Sequence, residues 1–183
     1  MTRSSLPLFP ALGAFLLLSA FLSGCLLVRT TEHRVRITQD GSGDAVLRLI
    51  DIRSDGVTDS ATAADLGTLV QAFSDSGGKE FERHGRRVTS KRLVTQADTL
   101  SAEVTYTFSS IASLEGFRVT HDELSVVVPT AREIVRTNGS VRESSAGTKR
   151  IVWERDTQRL FYVIRERSLP ASIPLGRMYR ALQ

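Results

Sequence analysis

The chain has 183 residues, of which 41% are hydrophobic and 24% charged, a balance that suits one folded domain behind a leader. Its single cysteine is Cys25, so the chain beyond it holds no disulfide, no thiolate nucleophile and no thiolate metal site. The formal net charge of +4 is carried mostly by arginine, since Lys79, Lys91 and Lys149 are the only lysines; in an exported domain such a charge suits an anionic lipid or an envelope protein better than a nucleic acid.

Residues 1–24 have the anatomy of an export signal. Arg3 supplies a positive start, Leu6 to Leu22 is almost wholly apolar, and the small residues Ser23 and Gly24 precede Cys25. Pro7 and Pro10 fit poorly in a membrane-spanning helix, and the apolar run is short for one. The motif Leu22-Ser23-Gly24-Cys25 resembles the lipobox of bacterial lipoproteins. That resemblance implies cleavage between Gly24 and Cys25, thioether lipidation of Cys25 and acylation, palmitate included, at the new terminus. Two or three acyl chains hold a protein firmly to a bilayer. The expected place is therefore the envelope, lipid-anchored to the cell membrane. Leu26 stands where aspartate would resemble an inner-membrane retention signal, so in a two-membrane organism the outer membrane is favoured. Cys25 and the residues to position 30 read as a lipidated residue and short tether, 31–167 as the domain, and 168–183 as a tail or short helix.

Within the domain, Val35 and Ile37 alternate with Arg34, Arg36 and Thr38, the period of a half-buried strand over 32–39. Asp40-Gly41-Ser42-Gly43-Asp44 then predicts a hairpin turn. Val46, Leu47, Leu49, Ile50 and Ile52 are apolar on both faces, as in a central strand. Thr62 with Asp65 resembles a capping box, and Leu66, Leu69, Val70 and Phe73 have helical spacing, so a helix is expected over 62–75, ended by Gly77-Gly78. Strands are expected over 87–95, 100–108, 123–128, 133–137, 150–154 and 159–165, with one helical turn at 111–114. Leu100, Ala102, Val104, Tyr106 and Phe108 should point inward. Asn138-Gly139 and Asp156-Thr157 read as hairpin turns, and Trp153, Phe161 and Tyr162 as cross-strand aromatic neighbours. In the tail, Leu175, Met178, Tyr179 and Leu182 have helical spacing, with Arg177 and Arg180 between them. They suit a turn packed on the sheet, or a basic amphipathic foot on lipid.

Little here specifies a reaction. His33, His84 and His121 lack metal spacing, and His121-Asp122-Glu123 would point to alternating faces. No serine sits in a nucleophile elbow. Asp40-Gly41-Ser42-Gly43 lacks the lysine of a phosphate loop, and the aspartates 40, 44, 51 and 55 lack calcium-loop spacing. Arg83, His84, Arg86, Arg87, Lys91 and Arg92 form the densest basic stretch, the composition of a solvated strand edge or a lipid-facing patch.

The pieces Val35–Ile52 and Arg87–Leu114 are similar to those of a loose group of uncharacterised bacterial lipoproteins and to the LppM-like domain of exported actinobacterial proteins. The resemblance implies an α+β domain and carries no catalytic residue. The expectation is a single α+β domain, an antiparallel sheet covered by one or two helices, without cofactor, metal or catalytic residue. Its role would be a non-enzymatic binding or interaction module. The alternative is a carrier of lipid or a small ligand in a groove between sheet and helix.

Overall fold

The computed structural model describes residues 26–74, 85–143 and 147–183. The expected leader with its cleavage site at Gly24 and Cys25, the expected helix stop at Gly77-Gly78, and Arg83 and His84 lie outside the described residues. Two sheets, every pair antiparallel, and two helices make one α+β domain.

β1 (Leu26–Ile37) and β2 (Gly43–Ser54) form the central hairpin. Residues 26–30, expected to be a tether, are the opening of β1: Leu26 is 7% exposed and pairs with Ser54. They are held because Leu26 and Val28 find an apolar cluster to join, which a local reading of the first few residues cannot show. The turn at Asp40-Gly41-Ser42 is as expected, with Gly41 at φ +83°. Gly43 is required for a different reason, since a Cβ there would sit 1.9 Å from the Arg36 carbonyl oxygen.

An inversion of β2 accounts for part of its apolar run, while Val46 lies on the opposite face. Asp51 adopts φ +59°, in the left-handed region. Up to that point Ala45, Leu47 and Leu49 face the core; beyond it Ile52 does. β1 inverts at the same level. Leu26 and Val28 face inward before Arg29, and His33, Val35 and Ile37 after it, while Arg29 and Asp51 form an ion pair at 2.7 Å. Because both strands invert together, the pairing register is the same on either side of the kink.

The larger sheet continues with β3 (Arg86–Gln96) and β4 (Thr99–Phe108) on one flank, and with β7 (Arg132–Thr137) and β10 (Arg159–Glu166) on the other, in the order β3-β4-β2-β1-β10-β7. β11 (Ile173–Pro174) adds to β2. The smaller sheet runs β5-β6-β9-β8, from β5 (Phe117–Val119), β6 (Glu123–Val128), β8 (Ser140–Glu143) and β9 (Lys149–Glu154).

All six residues expected on the covered face, Val35, Ile37, Ala102, Val104, Tyr106 and Phe108, are buried. Two different layers cover them. At the end where β1 begins, α1 (Asp59–Phe73) lays Leu66 and Leu69 on Leu26, Leu49, Ile52, Leu100 and Ala102. At the other end the smaller sheet packs Leu124, Val126, Val128, Ile151 and Trp153 against Val35, Val104, Tyr106, Phe108 and Tyr162. A one-turn 3-10 helix (Ile111–Ser113) leads from the larger sheet to the smaller.

The second sheet corrects the two hairpins expected late in the chain. Asn138-Gly139 joins β7 to β8, and Asp156-Thr157 joins β9 to β10; each link passes from one sheet to the other. The turn letters are real, but Asn138 is used as a clasp. Its Oδ1 accepts from Trp153 Nε1 and from the Phe161 amide, both at 2.8 Å, and its Nδ2 donates to the Arg159 carbonyl at 2.7 Å. Trp153 and Tyr162 meet across the layers, with ring centroids 6.1 Å apart and planes tilted by 44°, instead of along a hairpin. Phe161 points to the opposite face.

α1 also begins earlier than the Thr62–Asp65 box implied. Thr58 is the N-cap, its hydroxyl accepting from the Ala61 amide at 3.2 Å. Thr62 lies inside the helix, 1% exposed, with its hydroxyl on the Thr58 carbonyl, and Asp65 accepts from Ser54 of β2. The chain ends with Leu175 fully buried and α2 (Gly176–Arg180), whose Arg177 and Arg180 both pair with Asp98. Gly176 is needed because a Cβ would meet the Asp98 carbonyl at 2.2 Å.

Candidate functional site

Of the histidines in the described residues, His33 is structural. Its Nδ1 lies 2.9 Å from the Tyr162 hydroxyl and its Nε2 2.8 Å from the Tyr106 hydroxyl, between the two sheets. Burial, aided by the charge of Arg86, lowers its pKa to about 4. The ring is therefore neutral in ordinary conditions and uses one nitrogen as donor and one as acceptor. Burial raises the pKa of both tyrosines. All three belong to the larger sheet, so the trio ties β1 to β4 and β10 on its covered face, buried beneath the smaller sheet.

His121 is the opposite case. Its ring sits at the tip of the β5–β6 link with its side chain 97% exposed, Nδ1 2.6 Å from Asp122. Those two residues, with Asp40, Glu154 and Asp156, border an open concavity of about 810 Å³ at the turn end of the domain. Asp40 is committed to its own turn: Thr38 and Ser42 hydroxyls and the Ser42 amide donate to it, and those bonds lower its pKa. Among the described residues no three His, Cys, Asp or Glu side chains converge as a metal site would require.

The densest convergence of charge lies on the uncovered face of the larger sheet. There Glu103 bridges Arg48 and Arg92, Glu32 pairs with Arg34 at 2.8 Å and lies 3.9 Å from Arg48, and Glu133 pairs with Arg165. Over β2, β3 and β4 cations and carboxylates thus alternate, as on an ordinary solvated sheet face.

The balance shifts only where the turn end of β1 meets β10 and β7. A concavity of about 410 Å³ is lined there by Arg34, Arg36, Arg136 and Arg159, with Val46 and Phe161 at its floor and Asp44 as its one carboxylate. Arg36 holds Asp44 at 2.8 Å. The guanidinium of Arg34 lies 5.6 Å from the Phe161 ring centroid and that of Arg136 5.4 Å. A half-buried aromatic ring between two arginines pre-positions both planes. Arg34 is paired with Glu32 and Arg36 with Asp44, so the shallow cup keeps Arg136 and Arg159 as its excess charge over an apolar base, chemistry that recognises carboxylate or phosphate through paired hydrogen bonds.

The strand alternation had already placed Arg34 and Arg36 outward. Arg136 and Arg159 reach them only because β10 lies between β1 and β7, with Arg36 opposite Arg159 and Arg34 opposite Phe161. The sequence contains no local sign of that pairing. The basic stretch singled out earlier lies partly on β3, an edge of the larger sheet, where Arg92 binds Glu103 and Lys91 donates to the Ala72 carbonyl at the end of α1. No described helix is long and apolar enough to cross a membrane.

No family model, curated protein or solved structure matches the chain.

Proposed function

We propose that the chain is a lipid-anchored lipoprotein of the bacterial envelope and that its domain is a non-enzymatic binding module. Cys25, freed by cleavage after Gly24, carries the anchor. The arginine cup of β1, β7 and β10 is the binding surface, and its partner is an envelope protein presenting a carboxylate-rich segment. The observation that carries the binding role is the grouping of Arg34, Arg36, Arg136 and Arg159 around Phe161, four cations against the two carboxylates Glu32 and Asp44. Arg34 and Arg36 have carboxylate partners in Glu32 and Asp44; Arg136 and Arg159 are the excess left to an incoming ligand.

The test is a titration of the detergent-solubilised chain with a polyglutamate peptide at low and high salt. Binding is expected at low salt and should weaken as screening shortens the reach of the charges. R136E and R159E should abolish it, while R118E on β5, in the other sheet, should leave it unchanged. Equal binding by all of these variants would sink the proposal. Sorting follows from Leu26 behind Cys25: in a two-membrane organism, membrane fractionation should place the chain with the outer membrane.

A further inference from the structure

One end of the larger sheet gathers the start of β1, the end of β2, β11 and the loop into α1. Leu26 pairs with Ser54, and Ser54 pairs with Ile173. Val57 follows Ser54 by three residues and is 94% exposed; Ile173 is 40% exposed. Large apolar side chains are thus turned to water at the end from which residue 25 departs. The loop that presents Val57 is held in shape: Ser54 Oγ accepts from the Gly56 amide at 2.9 Å and donates to Asp65.

No slack separates this end from position 25. Leu26 is buried and in register, and adjacent Cα atoms are about 3.8 Å apart. Any lipid on Cys25 therefore lies against this end of the sheet. The cations here have partners within the domain. Arg29 and Arg53 both pair with Asp51, Arg53 also donates to Ser172, and Asp55 and Asp59 flank Val57. Contact with a bilayer at this end would be made by apolar side chains more than by charge.

We infer, resting on the anchored-lipoprotein reading, that the domain stands on the bilayer through this end, with Val57 and Ile173 in the headgroup layer. The arginine cup is then held away from the lipid. From Leu26 to Arg36 there are ten residue steps, about 33 Å at about 3.3 Å each. The membrane that holds the anchor is thereby removed as the cup's ligand, which leaves it open to a partner in the aqueous space.

The full lipidated chain, reconstituted in phosphatidylcholine vesicles, can report this. Cys25 is the only cysteine, and as a thioether it does not react with a thiol-directed spin label. V57C, I173C and Q39C, the last at the turn at the far end, each then carry one label. Labels at 57 and 173 should collide several-fold less with a water-soluble nickel chelate than the label at 39. They should also collide more with oxygen, which concentrates in lipid. Equal accessibility at all three positions, with acyl chains on Cys25 confirmed by mass, would overturn the orientation and leave the anchor standing. A free Cys25 thiol, seen as a second label on each variant, would overturn the anchor and the orientation together.

Discussion

His33 has its whole hydrogen-bonding capacity spent between two tyrosines in the interior, and this makes the domain sensitive to acid in a definable window. Its pKa is about 4 when folded, against the ordinary 6.5 it regains on unfolding. Between those values the unfolded chain binds a proton that the folded chain does not, so stability rises with pH across the window. It should fall by about 3 kcal/mol from above pH 6.5 to pH 4, at 1.36 kcal/mol per unit. Urea unfolding at a series of pH values should show this loss, and H33Q should flatten the slope in that range; an unchanged slope would contradict it. By contrast H121A should be silent in stability, because its ring is almost wholly in water. Asn138→Ala removes three hydrogen bonds and leaves the buried Trp153 indole without its acceptor. A loss of about 2 kcal/mol is expected in the same unfolding measurement. Neither role is written locally: an inward histidine becomes a tie only once β4 and β10 bring two tyrosines to it, and an Asn-Gly pair becomes a clasp only once a second sheet lies opposite.

At the scale of elements, period and turn chemistry made most strands legible in the sequence. β6 falls where the alternation placed it, and β3, β4, β7, β9 and β10 within a residue of it. What local pattern lacks is the identity of the partner strand. Asn138-Gly139 has the letters of a hairpin, yet the strands it joins bond to different neighbours. α1 shows the same limit: its hydrophobic stripe was visible, but the cap was misplaced by one turn because Thr62 is a buried helix residue that looks like a cap. The stripe also graded its members too evenly. Leu66 is buried, whereas Phe73 is only partly so. Leu66→Ala should therefore cost about 2–5 kcal/mol, and Phe73→Ala less, about 1–3 kcal/mol, in proportion to the area it buries. A larger loss at Phe73 than at Leu66 in urea unfolding would mean that α1 is rotated from the position described.

Across the whole molecule, the two ends of the larger sheet differ in kind. One carries the buried start of β1 with exposed apolar side chains beside it; away from that end, the uncovered face of the same sheet carries the arginine cup. The proposed anchor is read from contiguous letters, a leader-like segment followed by Leu22-Ser23-Gly24-Cys25. The cup was hidden, because its four arginines come from three strands separated by up to 125 positions, and only the antiparallel order β1-β10-β7 assembles them. The proposed anchor and the cup would together make a domain fixed at one end and offering charge elsewhere, and that proposal stands or falls with the anchor. The most direct measurement is the intact mass of the chain extracted from membranes. The account predicts a polypeptide beginning at Cys25 and carrying two or three acyl chains, with C25S accumulating as an uncleaved, unacylated precursor. A mature chain starting at any other residue, or a Cys25 without lipid, would contradict it.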